Sequence, residues 1–274
     1  MNITKTIQRI PIILLNRLHV KNLFVILLFC SLTLMAQNSH VESGVYPWND
    51  LKIEKQGTQD MRKILEGNTT NLDILKAEAL TISPGFIRDM DSVNEMAEIL
   101  IIIKEGKVDI RLGEAHKNLG AGSVVMIMPG DVFQYQNTGT VPATFYLLTF
   151  KAKNSMNTNR ADSSGGSFMV DFNDLEFKPH DQGGLRNYYH RSTAMFNEAE
   201  MHVTTLNPHI KSHEPHTHGG AEFVLMISGN TKMQIDDKFY KATAGDLYYL
   251  ESNISHAIQN IGDQPCLYYA FQWE

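Results

Sequence analysis

The sequence predicts an all-β protein built from two tandem double-sheet jelly-roll barrels. Three observations lead to this prediction: the chain repeats itself, each copy is divided into short apolar or alternating runs by Gly, Asn and Asp, and a polar stretch separates the copies. Short runs at regular spacing are typical of strands in sandwiches and barrels. With 274 residues, 43% of them hydrophobic, the chain is long enough for two ordinary cores.

The internal repeat covers nearly all of the chain after residue 40. The letters WNDL at 48–51 recur as FNDL at 172–175, and Arg62 recurs as Arg186, both 124 positions later. Further on the offset is 123, and it pairs Gly106, Gly122, Asn137 and Gly139 with Gly229, Gly245, Asn260 and Gly262. One single-residue gap reconciles the two offsets. We therefore expect a first barrel over 41–152, a linker over 153–166 and a second barrel over 167–274.

The first 36 residues have the pattern of a cleaved export signal. Basic residues precede an uncharged apolar run at 23–36, which is shorter than the roughly 20 residues that a membrane-spanning helix needs. We expect cleavage after Ala36, a periplasmic or secreted protein and no stable membrane anchor; lipidation of Cys30 is the alternative. Cys266 is then the remaining cysteine, which rules out an intramolecular disulfide and favours a small core residue.

The charge pattern argues against nucleic acid as a partner. The net charge is -6, with acidic and basic residues scattered along the chain. No basic stripe is present that could follow a phosphate backbone. The partner that we expect is a small molecule.

The second copy contains a cluster of candidate metal ligands. His216 and His218 are two positions apart, so on a strand both side chains would point to one face. Gly219 and Gly220 then allow a tight turn that returns Glu222 toward the same point, and His256 follows on a later hairpin. Three imidazoles and a carboxylate leave open positions on a divalent transition metal, and the donor set suits Mn, Fe, Co, Ni, Cu and Zn alike.

These segments resemble the paired motifs of the cupin superfamily. From His216 to Gly229 the match to the first motif is complete, and Gly245, His256 and Asn260 match the second. Glu251 and Asn253 stand where that motif has Pro and Gly, and Asn accepts left-handed backbone angles better than most residues. The resemblance implies two tandem cupin barrels (double-stranded β-helices), one metal held by His216, His218, Glu222 and His256, and a homodimer.

Several other residues of the second copy are candidates for catalysis or binding. His213 and Glu214, just before the motif, and Tyr248 are candidate proton carriers. His213 has the wrong strand parity to join His216 and His218 as a ligand. Residues that could touch a substrate are Gln234, Met226 and Tyr268; Arg186 and Arg191 could hold an anion, although the recurrence of Arg186 as Arg62 equally favours a role in the fold.

The first copy lacks the ligand set. At the offset of 123, the positions of the four ligands are taken by Val93, Glu95, Ile99 and Phe133. A slip of one residue would bring Glu98 into the position of Ile99, but one carboxylate without histidines is not a transition-metal site. We expect a metal-free first barrel that stabilises or covers the second; a separate ligand pocket around Phe133 is the alternative.

Three function classes remain open. The two-barrel architecture resembles ureidoglycine aminohydrolase-like proteins, and the ligand pattern resembles cupins that linearise unsaturated uronic acids. Both resemblances imply an enzyme that uses its metal as a Lewis acid on a small carboxylate- or carbonyl-bearing compound, as an isomerase, hydrolase or lyase. The same donor set with a redox metal resembles quercetinase-type dioxygenases. The third class is a non-catalytic sugar- or metal-binding module, because a fold does not define a function.

Overall fold

A computed structural model describes residues 39–92 and 96–274, and the predicted export signal lies outside them. The first copy contains strands β1 (Gly44–Tyr46), β2 (Ile53–Gln56), β3 (Gln59–Gly67), β4 (Leu72–Ile82), β5 (Ile87–Ser92), β6 (Glu98–Glu105), β7 (Lys107–Leu112), β8 (Ala115–Gly120), β9 (Val124–Ile127), β10 (Val132–Gln136) and β11 (Ala143–Ala152). The second copy contains β12 (Phe168–Val170), β13 (Lys178–His180), β14 (Gly183–Arg191), β15 (Ala199–Leu206), β16 (Ala221–Ser228), β17 (Thr231–Ile235), β18 (Lys238–Ala242), β19 (Leu247–Leu250), β20 (His256–Asn260) and β21 (Cys266–Trp273). Helix α1 (Thr158–Ser163) joins the copies, and single 3-10 turns cover Trp48–Asp50 and Phe172–Asp174.

Each copy forms a two-sheet barrel, so the predicted all-β fold of two jelly-roll barrels is confirmed. In the first, the sheet β12-β9-β6-β11-β4-β3-β2 faces the sheet β5-β10-β7-β8. In the second, the sheet β1-β19-β16-β21-β15-β14-β13 faces the sheet β18-β17-β20. The copies differ where β5 stands in the first barrel, because the corresponding segment of the second makes only isolated bridges at Lys211 and His216. The irregular segment carries the first candidate ligands.

The two barrels exchange their first strands. Strand β1 pairs with β19 of the second barrel, with Gly44 opposite Tyr249, and β12 pairs with β9 of the first barrel, with Phe168 opposite Met126. The repeat at 41–152 and 167–274 shows which residues belong to each copy. It could not show this exchange, since a strand pairs equally well with an edge of either sheet.

The linker region is anchored to the second copy. Asn157 caps helix α1 by accepting a hydrogen bond from the backbone N–H of Arg160. The Arg160 guanidinium donates to the carbonyl oxygens of Thr193 at 2.7 Å and Ala194 at 3.0 Å. The linker is polar, as the sequence indicates, but these hydrogen bonds hold it in place on the second copy.

The largest apolar core lies between the barrels. Phe150 from β11 is fully buried, and its ring centroid lies 5.5 Å from that of Phe271 and 5.3 Å from that of Trp273, both on β21. Phe223 and Tyr249 complete the aromatic group on the second barrel's side. Because this core contains residues of both copies, the apolar surface that each barrel would otherwise expose is removed from water.

The repeated arginines have matching structural roles. The Arg62 guanidinium lies 4.7 Å from the ring centroid of Trp48, and the Arg186 guanidinium lies 5.1 Å from that of Phe172. Trp48 and Phe172 are themselves equivalent residues of the repeat. These cation–π contacts account for the recurrence of the arginine. Arg191, the other candidate anion holder, also stacks on an aromatic ring, that of Phe168. Within the described residues, no helix is long and apolar enough to cross a membrane.

Candidate metal centre

The backbone places His216 directly opposite His256. The N–H of His216 donates to the carbonyl of His256 at 3.2 Å, and the N–H of His256 donates back to the carbonyl of His216 at 3.0 Å. His218 lies two residues further on, where its carbonyl accepts a hydrogen bond from the N–H of Asn253 at 2.8 Å. Asn253 has a φ of 62°, the left-handed conformation that we expected Asn to accept in place of Gly.

The four predicted ligands lie close together in two overlapping groups that share His256. The ligand atoms of His218, Glu222 and His256 lie within 4.8 Å of one another, and His216 and His256 form a second such group with His213. Glu222 Oε2 lies 3.5 Å from His218 Nε2 and 3.3 Å from His256 Nε2. The ring centroid of His216 lies 4.9 Å from that of His256 and 5.4 Å from that of His218. Donor atoms that share one ion at about 2.1 Å are about 3.0–3.4 Å apart, so the Glu222 separations fit a shared metal.

Backbone carbonyls orient two of the ligand imidazoles. His218 Nδ1 lies 2.8 Å from the carbonyl oxygen of Gly220, and His256 Nδ1 lies 2.9 Å from that of Ile254. A carbonyl can only accept, so each Nδ1 carries the proton and each Nε2 offers a lone pair to the cluster. This arrangement of outer hydrogen bonds is the one that metal-binding histidines commonly have.

Glu222 is held in its ionised form. It lies near the start of β16, where Leu250 and Gln272 are its cross-strand partners. Burial alone would raise the pKa of this carboxyl, but the adjacent His218 and His256 imidazoles outweigh burial and lower its pKa to about 2. Imidazole nitrogens and an ionised carboxylate are the donors that a divalent transition metal requires.

Close packing is tighter at Gly220 than at Gly219, the two glycines of the motif. A Cβ on Gly220 would lie 2.8 Å from Cγ of Gln272, and a Cβ on Gly219 would lie 3.0 Å from a carboxylate oxygen of Glu274. Neither glycine has a positive φ. The sequence correctly predicted a tight turn, but its cause is the approach of side chains from the end of the chain.

His213 lies beside the cluster, contrary to the parity argument. Its ring centroid is 4.1 Å from that of His216, and its Nδ1 is 3.0 Å from the carbonyl oxygen of Glu214. The ligand atoms of His213, His216 and His256 all lie within 4.8 Å of one another. The alternation of a strand does not apply here because the segment from Ser212 to Pro215 is a bend.

Two of the three predicted catalytic residues do not reach the site. Glu214 points into solvent, where its carboxylate pairs with the Lys211 ammonium at 3.3 Å. Tyr248 is fully buried on β19, and its hydroxyl lies 3.2 Å from that of Thr231. Tyr248 fails as a candidate because its side chain fills the barrel core.

Of the three residues predicted to face a substrate, one lines the cavity and two do not. Tyr268 lines the cavity at the site, whereas Met226 is covered by Thr231. The amide of Gln234 donates to the backbone of Asp236. Cys266 is buried, as expected of a small core residue, and burial raises the pKa of its thiol to about 11.

A cavity of about 260 Å³ opens beside the cluster. Its floor is apolar, and its walls carry side chains that the sequence analysis did not select: His180, Gln182, His202, Thr204, Ser212 and Gln272. Gln272 lies next to Glu222 across β21 and β16, and His202 lies next to Ala270 across β15 and β21. Counting alternate positions on all three strands from Glu222 would have found both residues, but it requires the strand register.

The first barrel has the same register without the ligands. Ile99 pairs with Ile127 and Thr149, as Glu222 pairs with Leu250 and Gln272, so Ile99 takes the position of Glu222. Phe133 opposite Leu112 takes the position of His256 opposite Ile235. Val93 and Glu95 lie outside the described residues. Phe133 stacks on Tyr135 and packs in the apolar interior of this barrel.

Glu98 does not replace the missing carboxylate. The register aligns it with Ala221, on the opposite face of the sheet from Ile99. It is fully buried between the barrels, where Oε1 accepts a hydrogen bond from the N–H of Met195 at 2.8 Å. Burial raises its pKa to about 7, against the opposing effect of that hydrogen bond.

Comparisons with known proteins agree with this architecture. Residues 202–271 match the family model of the cupin domain. No curated protein matches the chain. Similar solved structures are AerE from Microcystis aeruginosa, with a TM-score of 0.63 and 11% identity over 82% of this chain and 97% of that one, and oxalate decarboxylase OxdC from Bacillus subtilis, with a TM-score of 0.65 and 14% identity over 88% and 79%.

A third similar structure is protein Ylba from E. coli, with a TM-score of 0.65 and 13% identity over 87% of this chain and 94% of that one. At these identities the likeness concerns the fold alone. The match to the cupin domain covers the strands that carry Glu222 and His256, together with His216 and His218 before β16. The chain is therefore a two-barrel protein of cupin fold, and residues 202–271 of its second barrel match the cupin domain.

Proposed function

We propose that this chain is an exported metalloenzyme that binds one divalent transition metal in its second barrel and acts on a small polar compound bearing a carboxylate or carbonyl. The observation that carries the proposal is a cluster of imidazoles around one ionised carboxylate, in which His216, His218, Glu222 and His256 all line one cavity. His216, His218, Glu222 and His256 would hold the ion. A bound ion would act there as a Lewis acid that polarises a substrate oxygen.

The side chains around the ligands support a reaction that moves a proton. His213 Nδ1 donates to the carbonyl of Glu214, which leaves Nε2 as an unprotonated acceptor. His213 also lines the cavity, within reach of a ligand placed there. We assign the role of general base to this residue. The reaction class is isomerisation, hydrolysis or elimination, since each requires a proton acceptor beside a polarised oxygen.

The size of the cavity supports a small substrate. About 260 Å³ is slightly below the roughly 300–1,000 Å³ of most small-molecule sites, and a single uronate or ureide is of this scale. The similar oxalate decarboxylase is named for a small carboxylate. A three-ring flavonol fits this volume less well, so we place the oxidative alternative second.

Metal content tests the site. Purified protein should hold one divalent ion per chain by elemental analysis, and His256→Ala should lose it, because a missing ligand costs more than the 10–100-fold in affinity that outer-shell changes cost. The matched control is His116→Ala in the first barrel, where the imidazole pairs with Asp109 far from the site. Unchanged metal content in His256→Ala would refute the assignment.

Turnover then separates the function classes. We expect the metal-loaded protein to convert a member of a uronate and ureide panel without consuming dioxygen, and His213→Gln to lower kcat by about 100-fold. The metal content of this variant separates a general base, which leaves it unchanged, from a further ligand, because the His213 ligand atom lies within 4.8 Å of those of His216 and His256. Dioxygen consumption would favour a dioxygenase. Binding without turnover, weakened by Glu222→Ala, would favour a binding module.

A further inference from the structure

The charge of the cavity wall limits what the site can bind. Among the described residues that line the cavity, none is Lys or Arg, and Glu222 supplies the carboxylate. The other polar groups are imidazoles, amides and hydroxyls. A ligand that enters this cavity therefore meets no fixed positive charge from the protein.

A charge balance follows, and it rests on the proposed function. One divalent ion contributes two positive charges and Glu222 removes one, so the loaded site has a net charge of plus one. A ligand with a single negative charge neutralises it. A dianion would leave one negative charge without a partner in a partly buried cavity, which costs free energy because charges are poorly solvated there.

Two wall side chains are available for uncharged oxygens of the ligand. Gln272 is the cross-strand neighbour of Glu222, and His202 lies one pair further along the same sheet. Within residues 39–92 and 96–274, neither the Gln272 amide nor the His202 ring has a hydrogen-bond partner, although both line the cavity. By contrast, the Tyr268 hydroxyl is near Thr204 and Ser212. Half-buried polar groups without partners are groups that a ligand can satisfy.

The floor of the cavity restricts the other side of the ligand. Val224, Met233, Ile258 and Ala270 form this floor, and all four are buried apolar residues of the second barrel. The cavity of about 260 Å³ therefore offers both polar groups and apolar surface to a ligand. A small compound with one anionic end and uncharged hydroxyls suits this distribution.

We propose that the site selects a small monoanionic polyhydroxylated acid, with its charged group at the metal ligands and its neutral oxygens bonded to Gln272 and His202. This substrate class differs from oxalate, the dianion for which one similar structure is named. The difference lies in the lining residues, since no guanidinium or ammonium of the described cavity could balance a second charge.

Three six-carbon probes of one skeleton test the charge preference. Galactitol is neutral, galactonate carries one negative charge and galactarate carries two. Isothermal titration of the protein loaded with Zn²⁺ should give a Kd for galactonate at least about tenfold below those of the other two. Equal or tighter binding of galactarate, or no binding of galactonate, would overturn the inference.

Zinc stoichiometry distinguishes the two levels of failure. A chain that holds no zinc refutes the proposed function and this inference with it. A chain that holds one zinc per molecule but prefers the dianion refutes only the charge preference.

Two substitutions test the wall residues. Gln272→Leu and His202→Phe should each weaken galactonate binding about 3–10-fold, the effect of one lost hydrogen bond, and leave zinc stoichiometry at one. Gln264→Leu is the matched control, because Gln264 is exposed on the loop before β21 and does not line the cavity. Unchanged galactonate affinity in both variants would show that these side chains do not contact the ligand.

Discussion

The two barrels have the same strand register, but the interior of the first is filled with apolar side chains and that of the second contains a cavity with polar side chains. In the first, Ile99 and Phe133 occupy the positions of a carboxylate and an imidazole, and aromatic rings fill the space. In the second, Glu222 and His256 stand there and a cavity remains. The strand pairing is thus compatible with either interior. The ligands are not needed to form the barrel, which supports a separate role for them.

What the barrels share is the core between them, and Phe150→Ala tests it with the largest expected effect. Removing this fully buried ring should lower the free energy of unfolding by about 3–5 kcal/mol. Chemical denaturation should show one transition, because both barrels lose packing together. Val141→Ala, at an exposed apolar side chain, should change stability by less than about 0.5 kcal/mol. Two separate transitions in the wild-type protein would contradict a shared core.

Metal addition should distinguish the barrels next. A divalent ion at about 100 times its Kd should raise the free energy of unfolding by about 2.7 kcal/mol, because only the folded chain presents the ligands together. Thermal denaturation with and without chelator measures this change. Glu222→Ala should abolish it, whereas Ile99→Ala at the equivalent position should retain it. Loss of the metal effect in both variants would contradict the assignment of the metal site to Glu222 in the second barrel and not to the equivalent Ile99 in the first.

The barrels also differ at Glu98, a buried carboxyl whose equivalent in the second copy is Ala221. This difference should appear in the pH dependence of stability. Burial raises the pKa of Glu98 to about 7, above the roughly 4.3 of an unfolded chain. The folded state therefore binds the proton more tightly, and this group's contribution to stability falls as pH rises from about 4 through 7. At pH 8, Glu98→Gln should be more stable than wild type by about 1–3 kcal/mol.

Denaturation at pH 5 and pH 8 provides the measurement for Glu98. The advantage of Glu98→Gln should shrink at pH 5, where the wild-type carboxyl is mostly protonated in the folded state. Parallel stability curves for the two proteins would contradict a raised pKa. The matched control is Glu114→Gln, at an exposed acid in the turn between β7 and β8, which should follow the wild-type stability curve.

The repeated arginines should show the smallest effect and the closest similarity. Arg62→Ala and Arg186→Ala each remove a guanidinium from an aromatic face, so each should cost about 0.5–1 kcal/mol of unfolding free energy. Metal content should not change in either variant. A selective loss of ligand binding in Arg186→Ala would restore the anion-holding role that the sequence left open.

The sequence predicted the parts of this structure that depend on local pattern. Turn residues and short apolar runs defined the barrels, and the spacing of His216, His218, Glu222 and His256 selected side chains that the fold brings together. The offset of 123 correctly matched Ile99 with Glu222, because the strand registers of the two copies are the same.

The features that the sequence could not predict depend on pairing between distant strands. Strand parity misplaced His213 because its segment bends, and Tyr248 was selected although its face points into the core. Gln272 and His202 became candidates only when their strands were placed beside β16 and β21. Gln and His are common residue types, and only the strand register shows that these two lie near Glu222.

The exchange of β1 and β12 has a consequence for the order in which the chain can fold. As the chain is synthesised, β1 must wait for β19, and β9 of the first barrel must wait for β12 from the second copy. Neither large sheet has all its strands until the other copy has been made. Contacts that are distant in sequence slow folding, so we expect this exchange to make the chain fold slowly. We therefore expect the duplicated halves to fold as one kinetic unit, in which each copy supplies a strand that completes the sheet of the other.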